Sequence, residues 1–424
     1  MVRTIDEITF VSERSPGLHT RWLCCQLGAR EHYAVPRALH RYGALELLFT
    51  DLWMWPKNPL GSFKRGLRER FHADLAAANV CAPNLSSIAM EVRAKLASRQ
   101  NWSLHRSYWQ GRIARNASFQ KAAASRLSRI EAADMPRAVM AYSYMALQIF
   151  RLARVRGWRT VLGQIDPGPP EDRIVARLYE ENPFYREQLE RPPPRYWAEW
   201  REECALADRI VVNSQWSQAA LEEEGVPATK IKVIPLAYET PEVGSTFQRY
   251  YPASFTPSRR MRVLFLGQIN LRKGVGPLLD AIRLVRAEPM EFWFVGPSQI
   301  AVPADLRNNP QVRWIGPVSR AKTAAFYRQA DLLVFPTFSD GFGLTQLEAQ
   351  TWKLPIIATK FCGDVVQDRC NGWLLSEITP SAIATRLRSC LGNPARLQEC
   401  SDRCAPSKRF GLANIGEQWL HVFE

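Results

Sequence analysis

The chain has 424 residues, 46% of them hydrophobic and 23% charged, with a formal net charge of +15. That length exceeds one ordinary core and suits two or three domains, and the composition is that of a globular, soluble chain. No apolar run reaches the roughly 18 residues needed to cross a bilayer, and the opening MVRTIDEITFVSER carries acids where a secretion signal would carry an apolar core, so a cytoplasmic protein is expected.

In chain order, RWLCCQLG, YAVPRALHRYG and ALELLFTDLW read as strand, helix and strand. Nine cysteines, two of them the adjacent Cys24 and Cys25, form no disulfide framework. A basic helical insertion follows at about 61–130. Between Gly61 and Ile130 stand thirteen Lys and Arg against three Asp and Glu, a net of +10. One reading is a solvated helical face. The other is a surface for something anionic: lipid headgroups, a diphosphate-linked substrate or nucleic acid. Phe63, Phe71, Trp102, Tyr108, Trp109 and Phe119 are interleaved with these cations, a mixture that suits a headgroup layer. The alternative is that the aromatics are core and the arginines line an acceptor cleft.

AVMAYSY, QIFRLARVRGW, RTVLGQID and ADRIVVNS resume the strand and helix alternation. The stretch PLAYETPEVGSTFQRYYPASFTPSRR, rich in Pro, Ser and aromatics, reads as a linker, with a domain boundary between Pro241 and Arg260. A second alternating unit follows: RVLFLG, GVGPLLDAIRLVRAE, EFWFVGP, VRWIGPV, RAKTAAFYRQA, DLLVFP, LTQLEAQTWK and PIIATK. Short apolar strands between helices predict an α/β fold with parallel sheets covered on both faces. Ligands of such sheets sit beyond the carboxyl ends of the strands, so the loops starting at Gly267, Gly296, Gly316 and Pro336 are where chemistry is expected. Cys370, Cys390, Cys400 and Cys404 have no paired CxxC or histidine partner and do not indicate a zinc site. The closing GLANIGEQWLHVFE is amphipathic, comes after the second sheet is complete, and is expected to pack elsewhere.

Two stretches carry chemistry. In GQINLRKG a strand ends at Gly267, a helix begins near Gly274, and Arg272 and Lys273 precede its first turn. Two cations at a helix N-terminus make a pocket for a dense anion such as a diphosphate; a solvated surface pair is the bland alternative. No GxGxxG or GxxxxGK[ST] is present, so neither a dinucleotide fingerprint nor a P-loop is indicated. In DGFGLTQLEA the glycines Gly341 and Gly343 let the amides of Phe342, Gly343, Leu344 and Thr345 approach an anion. Asp340 is placed to bind a polyhydroxyl group beside it. Glu348, next to the apolar stripe, needs partners such as ribose hydroxyls. The alternative is an acid favouring the helix dipole plus an exposed glutamate.

These residues resemble a family. DGFGLTQLEA looks like the E-x7-E signature of family-4 retaining glycosyltransferases (group 1 type) with the two-domain GT-B fold. GQINLRKG resembles their donor-phosphate loop, and ADRIVVNSQWSQAALEEEGVPATKIKVIPLAYE their interdomain segment. The resemblance is specific over about residues 205–375. It implies two Rossmann-like domains facing across a cleft: an acceptor-binding domain at 1–250, a donor-binding domain at 251–405, and a helix at 406–424 crossing back onto the first. By this resemblance Asp340 contacts the transferred sugar, Glu348 holds the ribose, and Arg272 with Lys273 grips the diphosphate. Gly267 and Gln268 belong to the same loop, and the loops at Gly296 and Val318 border the nucleoside. Neither a metal nor another cofactor is implied.

The sequence departs from that pattern in places. Asp340 stands where the family usually has Glu, and Gln268 where Arg is common. FCGDVVQDRCNGWLL keeps Gly363 and Asn371-Gly372 without the usual Pro-Glu pair. The first domain offers QLGAREHY, with only Gly28, for the acceptor loop, and GQIDPGPPED, with Asp166, where a histidine is common. Gly28 and Asp166 are therefore the acceptor-side candidates, and Asp166 the first-domain catalytic candidate. The resemblance implies a retaining hexosyltransferase that uses a UDP- or GDP-sugar, and the basic insertion points to a glycan or lipid-linked acceptor in polysaccharide or glycolipid assembly, at the inner face of the cytoplasmic membrane. An inactive nucleotide-sugar-binding protein and a sugar-nucleotide epimerase are the alternatives. No nucleic-acid recognition motif is present.

Overall fold

A computed structural model describes residues 20–56, 69–84, 108–185 and 190–424. The expectations placed on Phe63, Trp102 and residues 61–68 and 85–107 of the basic insertion fall outside the described residues.

The first sheet comprises β1 (Arg21–Gln26), β2 (Leu45–Thr50), β3 (Val80–Cys81), β4 (Arg137–Tyr142), β5 (Arg159–Gly163), β6 (Arg209–Val212) and β7 (Ile231–Val233). Their order is β3-β2-β1-β4-β5-β6-β7, and every pairing is parallel. Both faces are covered by helices, which is why β1 and β4 are buried runs and not alternating ones. Cys24 and Cys25 sit inside that run, and burial pushes the Cys25 thiol up to about 12, so the pair is core and not redox chemistry.

The second sheet comprises β8 (Met261–Leu266), β9 (Met290–Val295), β10 (Val312–Gly316), β11 (Leu332–Phe335), β12 (Ile356–Ala358) and β13 (Gly372–Leu374). Its order is β10-β9-β8-β11-β12-β13, again all parallel. The strand order reverses between β1 and β4 in one sheet and between β8 and β11 in the other. Such switch points open a crevice beyond the carboxyl ends of the strands. The strands β3, β7 and β13, of two or three residues each, extend the sheets beyond the alternation visible in the sequence.

The stretch between the sheets is pinned to the second domain. Arg249, 7% exposed, donates to the carbonyls of Tyr327 (2.6 Å), Trp352 (2.8 Å) and Lys353 (3.0 Å). The Tyr238 amide donates to the Phe410 carbonyl (2.7 Å), which binds the two interdomain crossings of the chain to each other. The last helix, Leu412–Leu420, then lies on the first domain: Ile415, Trp419 and Val422 join its core, and Trp419 meets Trp22 edge-to-face at 6.1 Å.

One expectation is corrected here. The helix Tyr108–Leu127 does not offer its aromatics to a headgroup layer. Phe119 is buried against Phe49 (5.5 Å), Trp109 packs on Tyr196 (4.9 Å), and Phe71 packs between Trp53 and Trp55. Apolar burial within the domain outweighs any interfacial role for these rings. Tyr108 alone of the described rings in this group is largely exposed.

Candidate active site

The loops after β8 and β11 are laced into one structure. Asn270 caps the amide of Lys273 through its side chain (3.0 Å), and the Arg272 carbonyl accepts from the Phe338 amide (2.9 Å) and the Thr337 hydroxyl (3.2 Å). Gly274 has a left-handed φ of 74°, and a Cβ there would lie 1.9 Å from the Pro336 carbonyl oxygen. Only glycine lets the helix Val275–Leu284 start this close to the second loop.

This lacing fixes the cations against the acids. Lys273 is ion-paired with Asp340 and lies over the Phe335 ring at 5.0 Å. Burial by itself would raise the Asp340 carboxyl, but the Lys273 and Arg272 charges outweigh it and hold it below the usual carboxylate range. Arg272 donates to the Ser339 carbonyl (2.7 Å) and pairs with Glu171 across the domain boundary (3.3 Å). The Ser339 hydroxyl donates to the same Glu171 oxygen (2.7 Å) and accepts from the Trp216 indole of the first domain (3.0 Å).

Asp166 faces this cluster from the first domain. Its carboxylate accepts from the Tyr144 hydroxyl (2.5 Å) and the Gly168 amide (2.9 Å). Tyr144 is in turn set by Glu203, which is buried and accepts from the amides of Tyr144 (2.7 Å), Ala146 (2.8 Å) and Leu147 (3.1 Å) at the start of the helix Leu147–Val155. Burial pushes the Glu203 carboxyl up to about 8 despite those three donors. The domains touch at Gly341, where a Cβ would come within 2.6 Å of the Ile165 carbonyl oxygen. Asp166, Arg272, Lys273, Asp340 and Gly341 are thus brought together. Glu171, Ser339, Tyr144 and Glu203 complete the setting and were not singled out from sequence. The acid of PPED at the start of the helix Pro169–Glu181 was the signal available for Glu171.

The glycine turn behaves differently from expectation at one residue. The Phe342 amide is turned toward the Asp340 carboxylate (3.4 Å) and its ring is buried with Leu347, Val365 and Phe410, so it is not a free donor for an anion. Gly343 keeps a left-handed φ of 84° ahead of the helix Thr345–Thr351, and the Thr345 hydroxyl oxygen is buried without a partner. Glu348 is half-buried and accepts from the Tyr327 hydroxyl (2.7 Å); burial raises its carboxyl and that bond offsets part of the rise. Gly296 packs against Gly267, Gln268 is exposed, and Val318 is half-buried against the apolar cluster that holds Leu264, Trp293 and Phe335.

A second polar cluster lies at the ends of β1 and β2, around Gly28. The Gly28 amide donates to Asp51 (2.9 Å), which also pairs with Arg70 (2.8 Å) and Arg115 (3.6 Å). Next to it Glu31, His32 and Tyr33 all have left-handed backbones, with φ of 51°, 51° and 60°, a strain of order 1–3 kcal/mol per residue that tertiary structure must hold in place. Two buried atoms here have no partner, Gln26 Oε1 and Trp53 Nε1.

With this geometry in view, the chain can be compared with known proteins. Residues 260–393 match the family described as Glycosyl transferases group 1. D-inositol 3-phosphate glycosyltransferase of Kineococcus radiotolerans is 30% identical over 249 residues, which is 51% of this chain and 57% of that protein. The chain spans about half the length of the curated relatives it matches. Among solved structures, sucrose-phosphate synthase from Thermosynechococcus elongatus superposes with a TM-score of 0.61 at 17% identity, covering 96% of this chain and 98% of that one. HepE of Anabaena, solved in complex with UDP and glucose, superposes with a TM-score of 0.59 at 16% identity, covering 95% and 99%. The chain has the two-domain GT-B fold, and residues 260–393 are similar to the group 1 glycosyl transferases.

Proposed function

We propose that this chain, as a GT-B glycosyltransferase, moves a hexose with retention from a nucleoside diphosphate sugar to an acceptor hydroxyl, without a metal, in the assembly of a cell-surface polysaccharide or glycolipid. The observation that carries the reading is the Arg272–Lys273 pair held over Asp340 at the β8/β11 switch point, inside the segment that matches the group 1 family. Cations fixed in advance in a partly dry cleft stabilise the charge that grows on a leaving diphosphate. The Thr345 hydroxyl, buried without a partner, supports a ligand at the glycine turn. Glu348, shared with Tyr327, would take ribose hydroxyls, and Asp340 with Asp166 would flank the transferred sugar. The complex of HepE with UDP and glucose makes a uridine nucleotide the first donor to try. The acceptor would enter by the Gly28 cluster, whose unpartnered polar atoms suit a hydroxylated molecule.

Binding and turnover separate the two acids. Glu348→Gln is expected to weaken binding of bare UDP by about tenfold or more, the loss of one charge-assisted hydrogen bond. Asp340→Ala should leave UDP binding within about threefold of the parent, a change under 1 kcal/mol, and abolish sugar transfer. Calorimetry with UDP and a transfer assay, both run in chelator, make the comparison. Equal losses for both variants would refute this division of roles, and turnover that stops in chelator would refute metal independence.

A membrane-held acceptor is the finer part of the proposal, at the inner face of the cytoplasmic membrane. It rests on the +10 of residues 61–130, to which the described residues contribute the exposed Arg115, Lys121 and Arg129. Each cation near an anionic leaflet contributes about 1 kcal/mol, and the attraction is screened within about 3 Å at 1 M salt. Co-sedimentation with anionic vesicles at low salt and release near 1 M is therefore expected. Sedimentation indifferent to lipid charge and to salt would remove this part and leave the donor chemistry untouched.

A further inference from the structure

The diphosphate grip is not open in this structure; a carboxylate from the other domain occupies it. Glu171 stands in the first turn of the helix Pro169–Glu181, with its side chain 17% exposed. One of its oxygens accepts from the Ser339 hydroxyl at 2.7 Å and pairs with the Arg272 guanidinium at 3.3 Å. Arg272 is the cation that the donor reading needs for the diphosphate, and Ser339 belongs to the loop that presents Asp340. Two further contacts hold the same junction closed: the Trp216 indole on Ser339 at 3.0 Å and the close approach of Gly341 to the Ile165 carbonyl.

We propose that Glu171 is a positioning residue that mimics the donor phosphate: it occupies Arg272 and Ser339 in the empty enzyme, and an incoming nucleoside diphosphate must displace it. The inference rests on the donor-site reading above. A carboxylate and a phosphate oxygen compete for the same guanidinium, so the interdomain ion pair subtracts from donor affinity. In return it keeps Arg272 aimed and the two loops together before the donor arrives. When displaced, Glu171 is left beside Asp166 and Asp340, where another negative charge is unfavourable, so a proton or a sugar hydroxyl becomes its natural partner.

The charges around Glu171 give the pH dependence its sign. Asp166 faces it from the preceding loop, and Arg272, Asp340 and the Lys273 paired with that acid face it from the second domain. On its own helix Asp172 is paired with Arg191, and Arg173 with Glu223 and Glu224, pointing away. Burial pushes the Glu171 carboxyl up to about 7, with Arg272 opposing the rise and Asp166 adding to it. Below that pH it becomes neutral and releases Arg272; above it the carboxylate competes. Nucleotide binding should therefore tighten as pH falls from 8 to 6. The diphosphate's own protonation pulls the other way, so the comparison is made against a variant without the carboxylate.

The test is calorimetry of the whole chain with UDP, and with GDP in parallel, at pH 6 and pH 8. Glu171→Gln is expected to bind the nucleotide about tenfold more tightly than the parent at pH 8, with the gap narrowing at pH 6. Glu171→Asp, whose shorter carboxylate reaches Arg272 less well, should fall between them and guards against a folding defect in the first variant. A purely structural latch would instead lower Tm and leave nucleotide affinity unchanged or weaker, and that result in both variants would overturn the inference. Arg272→Ala tells the two readings apart. If the parent binds nucleotide and Arg272→Ala does not, while Glu171→Gln matches the parent at both pH values, the donor site stands and the role of Glu171 falls. If the parent binds neither nucleotide, both fall.

Discussion

Replacing Lys273 with alanine is expected to lower kcat/KM for the donor by about 100-fold or more, the loss of a charge-assisted contact of about 3 kcal/mol in a site sheltered from water. The side chain is only 13% exposed, rests on the Phe335 ring and pairs with an Asp340 that is itself 17% exposed, so solvent cannot replace it. The same pair predicts a second effect. Removing one member of a buried ion pair leaves the other uncompensated, at a cost of about 3–5 kcal/mol. Lys273→Ala should therefore lose stability as well as activity, and the two effects must be separated. The double variant Lys273→Ala/Asp340→Asn removes both charges. It should recover most of the stability and none of the turnover, a coupling that a double-mutant cycle reads directly. Parent-like kinetics in Lys273→Ala would sink the assignment of the phosphate grip. Recovery of turnover in the double variant would mean that the single variant failed through misfolding alone.

How much of this was legible in the sequence depends on how local each feature is. The strands β8, β9 and β11 are apolar runs of four to six residues bounded by glycine or proline, and their period declares them. The strands β3, β7 and β13 have two or three residues, too few to show a period, and exist because a neighbouring strand offers an edge. The Arg272–Lys273 pair and Asp340 could be read because each sits at the end of such a run. The Tyr144–Asp166 bond and the Glu203 cap could not, because they join residues 22 and 59 positions apart through packing alone. Glu171 is the clearest case. In sequence it is an ordinary acid in the first turn of a helix; its chemistry comes from Arg272, 101 positions away in the other domain. The described rings of the 61–130 stripe, Phe71, Trp109 and Phe119, followed the core alternative for the same reason. Spacing could place Phe119 and Trp109 among cations, but not say that Phe49 and Tyr196 would cover them.

The C-terminal helix supplies the other large effect. Trp419→Ala is expected to destabilise the first domain by about 3–5 kcal/mol, the usual cost of truncating a buried aromatic. Trp419 is 3% exposed, meets Trp22 edge-to-face, and shares its pocket with Phe423, which stacks on Trp22 at 5.9 Å. Two more contacts fix the helix to this domain. Gly416 lies so close to Ala38 and Tyr42 that a Cβ would come within 2.9 Å of each, and Arg209 donates to the Phe423 carbonyl at 3.0 Å. The residue follows the second domain in sequence but belongs to the first in space, so the prediction is specific in its location. Urea unfolding should show the early loss in the first-domain signal, while calorimetry with UDP under native conditions should find nucleotide affinity close to the parent's, because the apolar clusters behind β8 and β11 do not include Trp419. Trp419→Phe, which keeps a ring in the pocket, should recover most of the loss. An unfolding midpoint that does not move in Trp419→Ala would mean that the helix adds nothing to the first domain. A fall in nucleotide affinity matching the fall in stability would mean that the two domains unfold as one unit.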